Sequence, residues 1–386
     1  MEVFLTAAVR TPIGKFLGGL ADYPAPKLGA LVVAEAVRRA GLRPELIDEV
    51  IFGNVVQAGV GQAPARQAAL FGGLPDTVPA FTVNKVCGSG LKAVMLAAQA
   101  IKAGDADIVL AGGMESMSRA PFLLPNVRGG YKYGDQTAVD ALIRDGLWCP
   151  FENQAMGCAA DYIAKSHDVS RLAQDRFAAE SHAKAAAAWE AGAFAAEVLA
   201  VPSLRKGSPD VAKDEGIRAD STAEGLAKLK PAFAPDGTVT AGNASQLSDG
   251  AAALVVASAR VAAKPLARVV AYASSGVSPK EIFRAPVPAI QKVLAKAKLA
   301  QSQIDLFELN EAFASQLLAC AQELNLDPAK VNVNGGAVAL GHPIGASGAR
   351  VLVTLVYALH ARQLRYGLAT LCLGGGNAVA MIVERV

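Results

Sequence analysis

The stretch from Phe81 to Gly113, FTVNKVCGSGLKAVMLAAQAIKAGDADIVLAGG, contains a complete strand–helix–strand unit. The apolar run Phe81–Val86 predicts a strand, and GSG at 88–90 opens an apolar helical segment that ends at Gly104. Asp107–Ala111 (DIVLA) follows as a second strand. Apolar strands that alternate with helices are typical of sheets covered by helices, so this stretch predicts an α/β fold.

The same unit occurs a second time, about 258 residues later. Ser347-Gly348 opens a helix that leads to a strand followed by GGG at 374–376. A second pair of landmarks, Leu42-x4-Ile47-Asp48 and Leu299-x4-Ile304-Asp305, lies 257 residues apart, and each precedes an apolar strand. Single coincidences of this kind arise between any two α/β segments. The agreement of two independent offsets instead favours duplication of one α/β half.

The segment between the two halves has a different character. Residues 118–247 begin with proline and glycine loops and then carry an alanine-rich helix around 171–191, which argues against a disordered linker. We therefore predict an N-terminal half at 1–117 plus about 248–265, an inserted loop domain at 118–247, and a C-terminal half at 266–386. Such an insertion commonly shapes a substrate site at a domain junction.

Composition excludes several classes of protein. Of the 386 residues, 52% are apolar and 18% are charged, so the chain buries a large core and is not disordered. No uninterrupted run of about 18 apolar residues occurs, which predicts no membrane span. The net charge of +3, with basic residues scattered along the chain, argues against nucleic acid as a partner. The low charge also predicts a homodimer or homotetramer that hides part of the surface.

The termini and cysteines indicate a cytoplasmic enzyme. The first residues, MEVFL, form an expected strand and lack the pattern of a signal peptide, and the ending ERV is not a targeting address. The five cysteines show no CxxC spacing, which argues against disulfides and a zinc site. We expect a reducing compartment, no metal, and a catalytic role for any functional cysteine.

Cys87 is the first candidate for chemistry. It lies between a predicted strand and a glycine-flanked helix start, where a sharp turn exposes a side chain as in a nucleophile elbow. The positive end of the helix dipole should help this thiol to ionise, and free N–H groups of the turn could hold an oxyanion. The alternative is a small buried core cysteine.

His342 is the second candidate. It lies in GGAVALGHPIGASG at 335–348, one of four histidines in the chain. The following proline disfavours helix at the histidine and holds it on a tight path just before a helix. A neutral imidazole in this position could take a proton from a thiol. A hydrogen-bonded structural histidine is the alternative.

Two further motifs follow strands. Cys372 ends an apolar strand before Gly374 and its two neighbouring glycines, which allow close approach of a ligand to the backbone. Asn310 and Glu311 follow the strand Leu306–Leu309, where they could orient a water or act as ordinary helix caps. A cysteine nucleophile, a histidine base and a second cysteine as acid–base are consistent with acyl transfer from a thioester.

Together these motifs resemble the thiolases, the acetyl-CoA C-acyltransferase family, over essentially the whole chain. The resemblance is carried by NKVCGSG at 84–90, AGGMESMS at 111–118, NEAF at 310–313, the run 335–350, CLGGG at 372–376, KLKPAF at 228–233 and VTAGNAS at 239–245. It implies a βαβαβαββ half used twice, a layered αβαβα core, and a loop domain over the site.

The resemblance also implies roles for residues. Cys87 would be acylated, His342 would activate it, and Cys372 would exchange the α-proton. Asn310 would hold a water that, with His342, stabilises an enolate, and the N–H groups of Cys87 and Gly374 would form a second oxyanion hole. Coenzyme A or acyl-CoA would be the substrate, with no tightly bound cofactor, in fatty acid metabolism. The implied CoA and substrate contacts are Arg218, Ser245, Leu147, Met156, Ala241, Ala244, Leu247, Ala312 and Phe313.

The sequence departs from the family pattern at two places near the implied acyl pocket. Many short-chain members carry His-Met-Gly where this chain has Ala155-Met156-Gly157. The Met-Gly-x-Gly-Pro of the family becomes IFRAP at 282–286. These changes lead to the hypothesis of a 3-oxoacyl-CoA range broader than acetoacetyl-CoA.

Two alternatives remain at this point. A decarboxylating 3-ketoacyl synthase shares the duplicated fold but uses two polar bases and no second catalytic cysteine. A non-catalytic lipid carrier on the same fold would not need the three reactive residues. The catalytic residues do not indicate whether condensation or thiolysis dominates in the cell, because both directions share one transition state.

Overall fold

The computed structural model describes all residues from 1 to 386. The strands are β1 Val3–Arg10, β2 Gly14–Lys15, β3 Glu49–Gly53, β4 Ala80–Val83, β5 Ile108–Ser116, β6 Phe122–Leu123, β7 Val139–Asp140, β8 Trp148–Cys149, β9 Gln154–Ala155, β10 Ser248–Ser258, β11 Ala267–Gly276, β12 Leu306–Leu309, β13 Tyr366–Leu373 and β14 Asn377–Arg385. The helices are α1 Ala25–Ala40, α2 Pro64–Phe71, α3 Ser89–Ala103, α4 Met156–Ser166, α5 Arg171–Glu190, α6 Ala223–Leu226, α7 Pro286–Ala297, α8 Ala314–Leu324, α9 Ala337–Leu340 and α10 Ile344–Arg362.

The main sheet shows the duplication directly. Its strand order is β12-β13-β14-β11-β1-β10-β5-β3-β4. In the first half β3 is parallel to β5, which is antiparallel to β10, which is antiparallel to β1. In the second half β12, β13, β14 and β11 repeat that sequence of directions. The halves join where β1 and β11 pair at Phe4–Arg268 and Leu5–Ala267.

The same side-chain hydrogen bonds recur at the predicted offset. The carboxylate of Asp48 accepts from the N–H groups of Asp107 and Ile108 at 2.7 and 2.8 Å. In the other half, Asp305 accepts from Arg365 and Tyr366 at 2.9 and 2.8 Å. In both halves this aspartate ties the start of the first parallel strand to the start of the second. The prediction of duplicated α/β halves is therefore confirmed.

Alternation along the strands builds the layers. In β5, Val109 and Ala111 face a central cluster with α3 and α10, whereas Ile108 and Leu110 face an outer cluster with α1. In β13, Leu371 faces the same central cluster, and α7 packs on the outer side of the second half-sheet. Strands buried on both faces are continuous apolar runs because each face has its own helical layer. The result is the expected αβαβα core.

The two central helices approach each other closely. A Cβ on Gly90 of α3 would lie 2.6 Å from the backbone nitrogen of Ala349 in α10. A Cβ on Gly113 would lie 2.1 Å from the carbonyl oxygen of Gly345. Glycine at these positions lets α10 begin directly against the end of β5. By length and composition α10 could cross a membrane, but 83% of its most apolar stretch is buried inside the fold, as in a core helix.

Two predicted strand boundaries were wrong. The strand predicted over Phe81–Val86 ends at Val83, because Val86 takes a left-handed conformation that a strand cannot contain. The strand predicted over Asp107–Ala111 continues to Ser116, because Gly112 to Ser116 pair in register with β10. The inserted segment forms the hairpins β6–β7 and β8–β9 and the helices α4 to α6, and its limits at 118 and 247 remain a prediction.

Candidate active site

Cys87 lies on a strained turn between β4 and α3. The preceding Val86 has φ 47°, a left-handed conformation that costs a β-branched residue roughly 1–3 kcal/mol. Ser89 holds the turn from both sides: its hydroxyl donates to the Val86 carbonyl at 2.6 Å and accepts from the Lys85 N–H at 2.9 Å. Ser89, the first residue of α3, thus fixes the turn that directs the Cys87 thiol into the cavity.

Burial controls the ionisation of Cys87. Loss of water raises the pKa of this thiol to about 12, although the N–H groups of Cys87 and Gly374 face the sulfur and lower it. The expectation that the helix N-terminus would make this thiol ionise readily is therefore wrong, because the desolvation cost exceeds the stabilisation by backbone dipoles. The thiol is therefore neutral at pH 7 and would need a base to act as a nucleophile.

His342 is the candidate base for this thiol. Its backbone N–H donates to the Gln246 carbonyl at 3.0 Å, which anchors the glycine-rich loop to the inserted segment. Its Nδ1 lies 2.6 Å from the hydroxyl of Ser347, and this hydroxyl donates to the Pro343 carbonyl at 2.9 Å. The single serine proton is thereby used, so Nδ1 carries the imidazole proton and Nε2 keeps its lone pair. Burial, aided by the charge of Arg350, lowers the pKa of His342 to about 3.

Asn310 and Cys372 are the other two candidate catalytic side chains. The Nδ2 atom of buried Asn310 lies 3.4 Å from Nε2 of His342. Cys372 is the penultimate residue of β13, and burial together with the neighbouring Cys87 raises the pKa of its thiol well above the usual value. The two halves thus contribute one thiol each, and His342 lies two residues before the start of α10.

Cys87, His342, Cys372 and Gly374 open onto one cavity of about 580 Å³, whereas Asn310 is not among its lining residues. Most of its lining side chains are apolar. Of the residues predicted for the site, those that line it are Cys87, His342, Cys372, Gly374, Leu147, Met156, Ala241, Ala244, Ser245, Leu247, Ala312 and Phe313. The inserted segment supplies one wall and the ends of the central strands supply the floor.

Arg218 is the predicted contact that lies away from the cavity. It is exposed, and its backbone N–H donates to Nδ1 of buried His182 at 3.1 Å. Two residues earlier, the Gly216 carbonyl accepts from the cavity-lining Gln246 at 2.9 Å. Arg218 therefore lies on a loop beside the cavity wall, and the structure does not place its guanidinium among the lining groups.

The residues that depart from the family pattern differ in whether they line the cavity. Ala155 lines the cavity, and so does Phe283, whose ring packs edge-on against Phe313 with centroids 5.3 Å apart. Arg284 instead points outward and pairs with Glu323 at 2.5 Å. Of these two adjacent residues only Phe283 lines the cavity, because neighbouring residues on this short helical turn face different sides.

Two residues that support the site, Ser347 and Glu115, were not predicted from the sequence. Ser347, which selects the His342 tautomer, looked like a simple helix opener. Glu115 is fully buried and accepts from the N–H groups of Val55, Val56 and Gly345 at 3.1, 3.2 and 2.8 Å. It joins β3, β5 and the start of α10. A carboxylate inside an otherwise apolar strand was the available signal, since buried charges are normally hydrogen-bonded.

The raised pKa of Cys87 predicts how the rate of its alkylation depends on pH. Because the thiol is neutral at pH 7, alkylation by iodoacetamide should accelerate about tenfold for each pH unit up to roughly pH 10. The rate constant would be measured by mass spectrometry of the Cys87 peptide, with half-buried Cys158 as internal reference. A rate that is already at its plateau near pH 7 would show a thiolate–imidazolium pair and contradict this assignment.

Comparisons with known proteins agree with this geometry. Residues 3–260 match the family described as "Thiolase, N-terminal domain", and residues 263–385 match "Thiolase, C-terminal domain". The chain is 55% identical to an acetyl-CoA acetyltransferase of Escherichia coli over 99% of this chain and 98% of that protein. It is 53% identical to an acetyl-CoA acetyltransferase of Cupriavidus necator over 100% of this chain and 99% of that protein.

A solved structure resembles the whole molecule. The crystal structure of the Bacillus anthracis acetyl-CoA acetyltransferase superposes with a TM-score of 0.98, at 44% identity, covering 100% of this chain and 99% of that one. The fold is thus the duplicated α/β fold expected from the sequence. The chain belongs to the thiolase family.

Proposed function

We propose that this protein is an acyltransferase that catalyses the reversible, CoA-dependent thiolysis of 3-oxoacyl-CoA, and the reverse Claisen condensation, through an acyl-enzyme on Cys87. The observation that carries the proposal is the convergence of two thiols and an unprotonated imidazole nitrogen in one apolar cavity. The names of the relatives agree with this activity.

The first half-reaction uses all three side chains. Nε2 of His342 accepts the Cys87 proton while Sγ bonds to the C3 carbonyl carbon of the substrate. The C2–C3 bond then breaks, and its electron pair passes to the enolate of acetyl-CoA. Cys372 gives its proton to C2, so acetyl-CoA leaves and Cys372 becomes a thiolate. The raised pKa of Cys372 makes that thiolate basic enough to take a proton back.

The second half-reaction restores the enzyme. The Cys372 thiolate takes its proton back from protonated His342, and Nε2 of His342 then removes the proton from the thiol of CoA as the CoA sulfur attacks the acyl-Cys87 carbonyl. The Cys87 sulfur leaves and recovers its proton from His342. The N–H groups of Cys87 and Gly374 lie beside the reacting sulfur and would stabilise the oxyanion of each tetrahedral intermediate, while Asn310 and His342 would stabilise the enolate oxygen.

CoA would bind along the inserted segment. We assign its pantetheine arm to the cavity wall formed by Leu147, Met156, Ala244, Ser245 and Leu247, with the nucleotide end outside the cavity near Arg218. The site would need no tightly bound cofactor, and no group of three metal-ligating side chains is placed to hold a metal ion.

The assembly and the compartment are also proposals. Large apolar side chains lie exposed on and around the hairpin β6–β7, including Phe122, Leu124 and Tyr133. Several exposed large apolar side chains on one segment support an interaction site there, and so a homodimer or homotetramer. Free thiols at the reactive positions fit a cytoplasmic location.

Two other functions fit less well. A decarboxylating 3-ketoacyl synthase would need a second polar base, but the group beside Cys87 on the second half is the thiol of Cys372. A non-catalytic lipid carrier would not require the hydrogen-bonded tautomer of His342. Thiolysis of 3-oxoacyl-CoA with free CoA tests the proposal: release of acetyl-CoA supports it, whereas condensation only with malonyl thioesters would favour the synthase.

Acyl-chain range gives a second prediction. Replacing Phe283 by alanine opens the cavity wall against Phe313 and should raise kcat/KM for longer 3-oxoacyl-CoA substrates relative to acetoacetyl-CoA. Each additional buried methylene is worth about 0.8 kcal/mol, or roughly fourfold. The measurement is steady-state thiolysis across chain lengths.

Arg284→Ala is the matched control for that substitution. Its side chain pairs with Glu323 on the outer surface, so the chain-length profile should be unchanged. The wild-type panel also tests the broader range hypothesised from Ala155 and Phe283. A strong preference of the wild type for acetoacetyl-CoA over all longer substrates would overturn that hypothesis, and an unchanged profile in Phe283→Ala would remove Phe283 from the acyl pocket.

A further inference from the structure

Arg350 is a buried cation that the mechanism above does not use. It lies in the second turn of α10, with a side chain that is 2% exposed. Its Nη1 atom lies 3.5 Å from Oε2 of Glu308, yet neither carboxylate oxygen of Glu308 and neither Nη1 nor Nε of Arg350 has a hydrogen-bonding partner. A guanidinium usually satisfies its five donors when it is buried.

The one hydrogen bond of the Arg350 side chain goes to the active site. Nη2 donates to Oδ1 of Asn310 at 3.5 Å. Arginine has no acceptor, so the contact requires the amide oxygen of Asn310 to face α10. The amide nitrogen must then face Nε2 of His342, which lies 3.4 Å from it.

The orientation of the Asn310 amide also determines the direction of the hydrogen bonds of His342. Because Nδ2 of Asn310 donates, Nε2 must accept, and Nδ1–H of His342 donates to Ser347, whose hydroxyl donates to the Pro343 carbonyl. Donation thus runs in one direction from Arg350 to Asn310, His342, Ser347 and the backbone. The hydrogen-bonding partner of one imidazole nitrogen determines whether the proton lies on the second nitrogen. A donor such as Arg350 at the start of this chain therefore fixes the tautomer of His342.

We propose that Arg350 is a positioning residue that orients the Asn310 amide and so keeps Nε2 of His342 unprotonated and directed at the substrate. The proposal rests on the proposed thiolase function for its catalytic consequence, but the hydrogen-bond order itself does not depend on that function. Arg350 is also the charge that acts on His342, and its own charged neighbours are Glu308, Glu311, Glu197 and Arg10.

A double-mutant cycle tests this role. Arg350→Met should lower kcat/KM for thiolysis about 10- to 100-fold, the usual cost of removing a group that orients a catalytic side chain. In an Asn310→Ala background the same change should cost little more, since the residue through which Arg350 acts is gone. Equal losses in both backgrounds would overturn the proposal.

The pH profile separates positioning from a structural role. The charge of Arg350 disfavours protonated His342, so its removal should raise the pKa of His342 and move the acid limb of kcat/KM to higher pH. Arg350→Lys keeps a charge opposite Glu308 and serves if the methionine variant does not fold. The lysine variant should lose kcat and keep the acid limb. An unshifted limb in Arg350→Met, or full kcat in Arg350→Lys, would contradict the proposal.

Thr354→Val is the matched control on the same helix. Thr354 is buried one turn beyond Arg350, and its hydroxyl donates to Glu197 at 3.1 Å rather than to the active site. This variant should lose some stability but show no shift of the acid limb and no coupling to Asn310. A shift as large as that of Arg350→Met would show that any disturbance of α10 produces it.

Nuclear magnetic resonance of labelled histidine gives a readout that does not need turnover. The chain has four histidines, and the imidazole ¹⁵N shifts of His342 should report a single Nδ1–H tautomer in the wild type and a mixture in Arg350→Met. A single tautomer in both proteins would overturn the proposal even if thiolysis is present. An Arg350-dependent tautomer in a protein without thiolase activity would instead leave this inference standing and remove the proposed function.

Discussion

Cys87→Ala is expected to abolish thiolysis, with kcat reduced by at least about 10⁴-fold, as is typical when a covalent nucleophile is removed. No other side chain can replace it, because the elbow formed by Val86 and Ser89 directs only this position at the N–H groups of Cys87 and Gly374. Steady-state thiolysis measures the loss, and mass spectrometry after incubation with acetyl-CoA locates the acyl group.

Cys158→Ala is the control for that experiment. Cys158 lies in α4, lines a different pocket and is half-buried like Cys87, so activity and acylation should be retained. An acyl adduct on the Cys87 peptide is expected in the wild type and in Cys158→Ala only. Retained turnover in Cys87→Ala, or an adduct on Cys372 in the wild type, would contradict the assignment of the nucleophile.

Cys372→Ala should separate the two half-reactions. Because Cys372 is the proposed acid–base group for the proton at C2, thiolysis and condensation should fall about 10²- to 10⁴-fold, the range of a lost general acid–base group. Acetyl transfer from acetyl-CoA to Cys87 needs only Cys87, His342 and the backbone N–H groups. Exchange of labelled CoA into acetyl-CoA should therefore continue.

The control for Cys372 is buried Cys149 in β8, which does not line the cavity, and Cys149→Ala should keep both activities. Parallel loss of exchange and thiolysis in Cys372→Ala would mean that Cys372 supports acylation of Cys87 as well. Retention of both would show that another group moves the α-proton. Either result would require a different assignment of roles to the thiols of Cys87 and Cys372.

Much of the fold was predictable because its signals are local or repeated. Gly41 and Gly104 end α1 and α3 in the left-handed conformation, which glycine adopts without strain, and both stops were visible in the sequence. The offset between Asp48 and Asp305 predicted two equivalent halves, and their equivalent hydrogen bonds follow. Strand ends were less predictable, because the length of β5 depends on its pairing with a strand more than 130 residues away.

The site was predictable in identity but not in electrostatics. Glycine-flanked turns identified Cys87 and His342, since such turns bring backbone and a side chain close to a ligand. Whether these groups are charged at rest depends on how much water the surrounding chain excludes. That exclusion raises the pKa of Cys87 and lowers that of His342.

By itself, the sequence determined the duplicated α/β halves, the candidate reactive residues and the family, because turn chemistry, apolar periodicity and motif spacing are local properties of the chain. Only the tertiary structure decided which of those residues meet. It turned Phe283 toward the cavity and Arg284 toward Glu323, and it aimed Arg350 at Asn310 across 40 residues. The physical reason is that burial and hydrogen-bond direction depend on which distant segments of the chain pack together. A local sequence pattern does not contain that information.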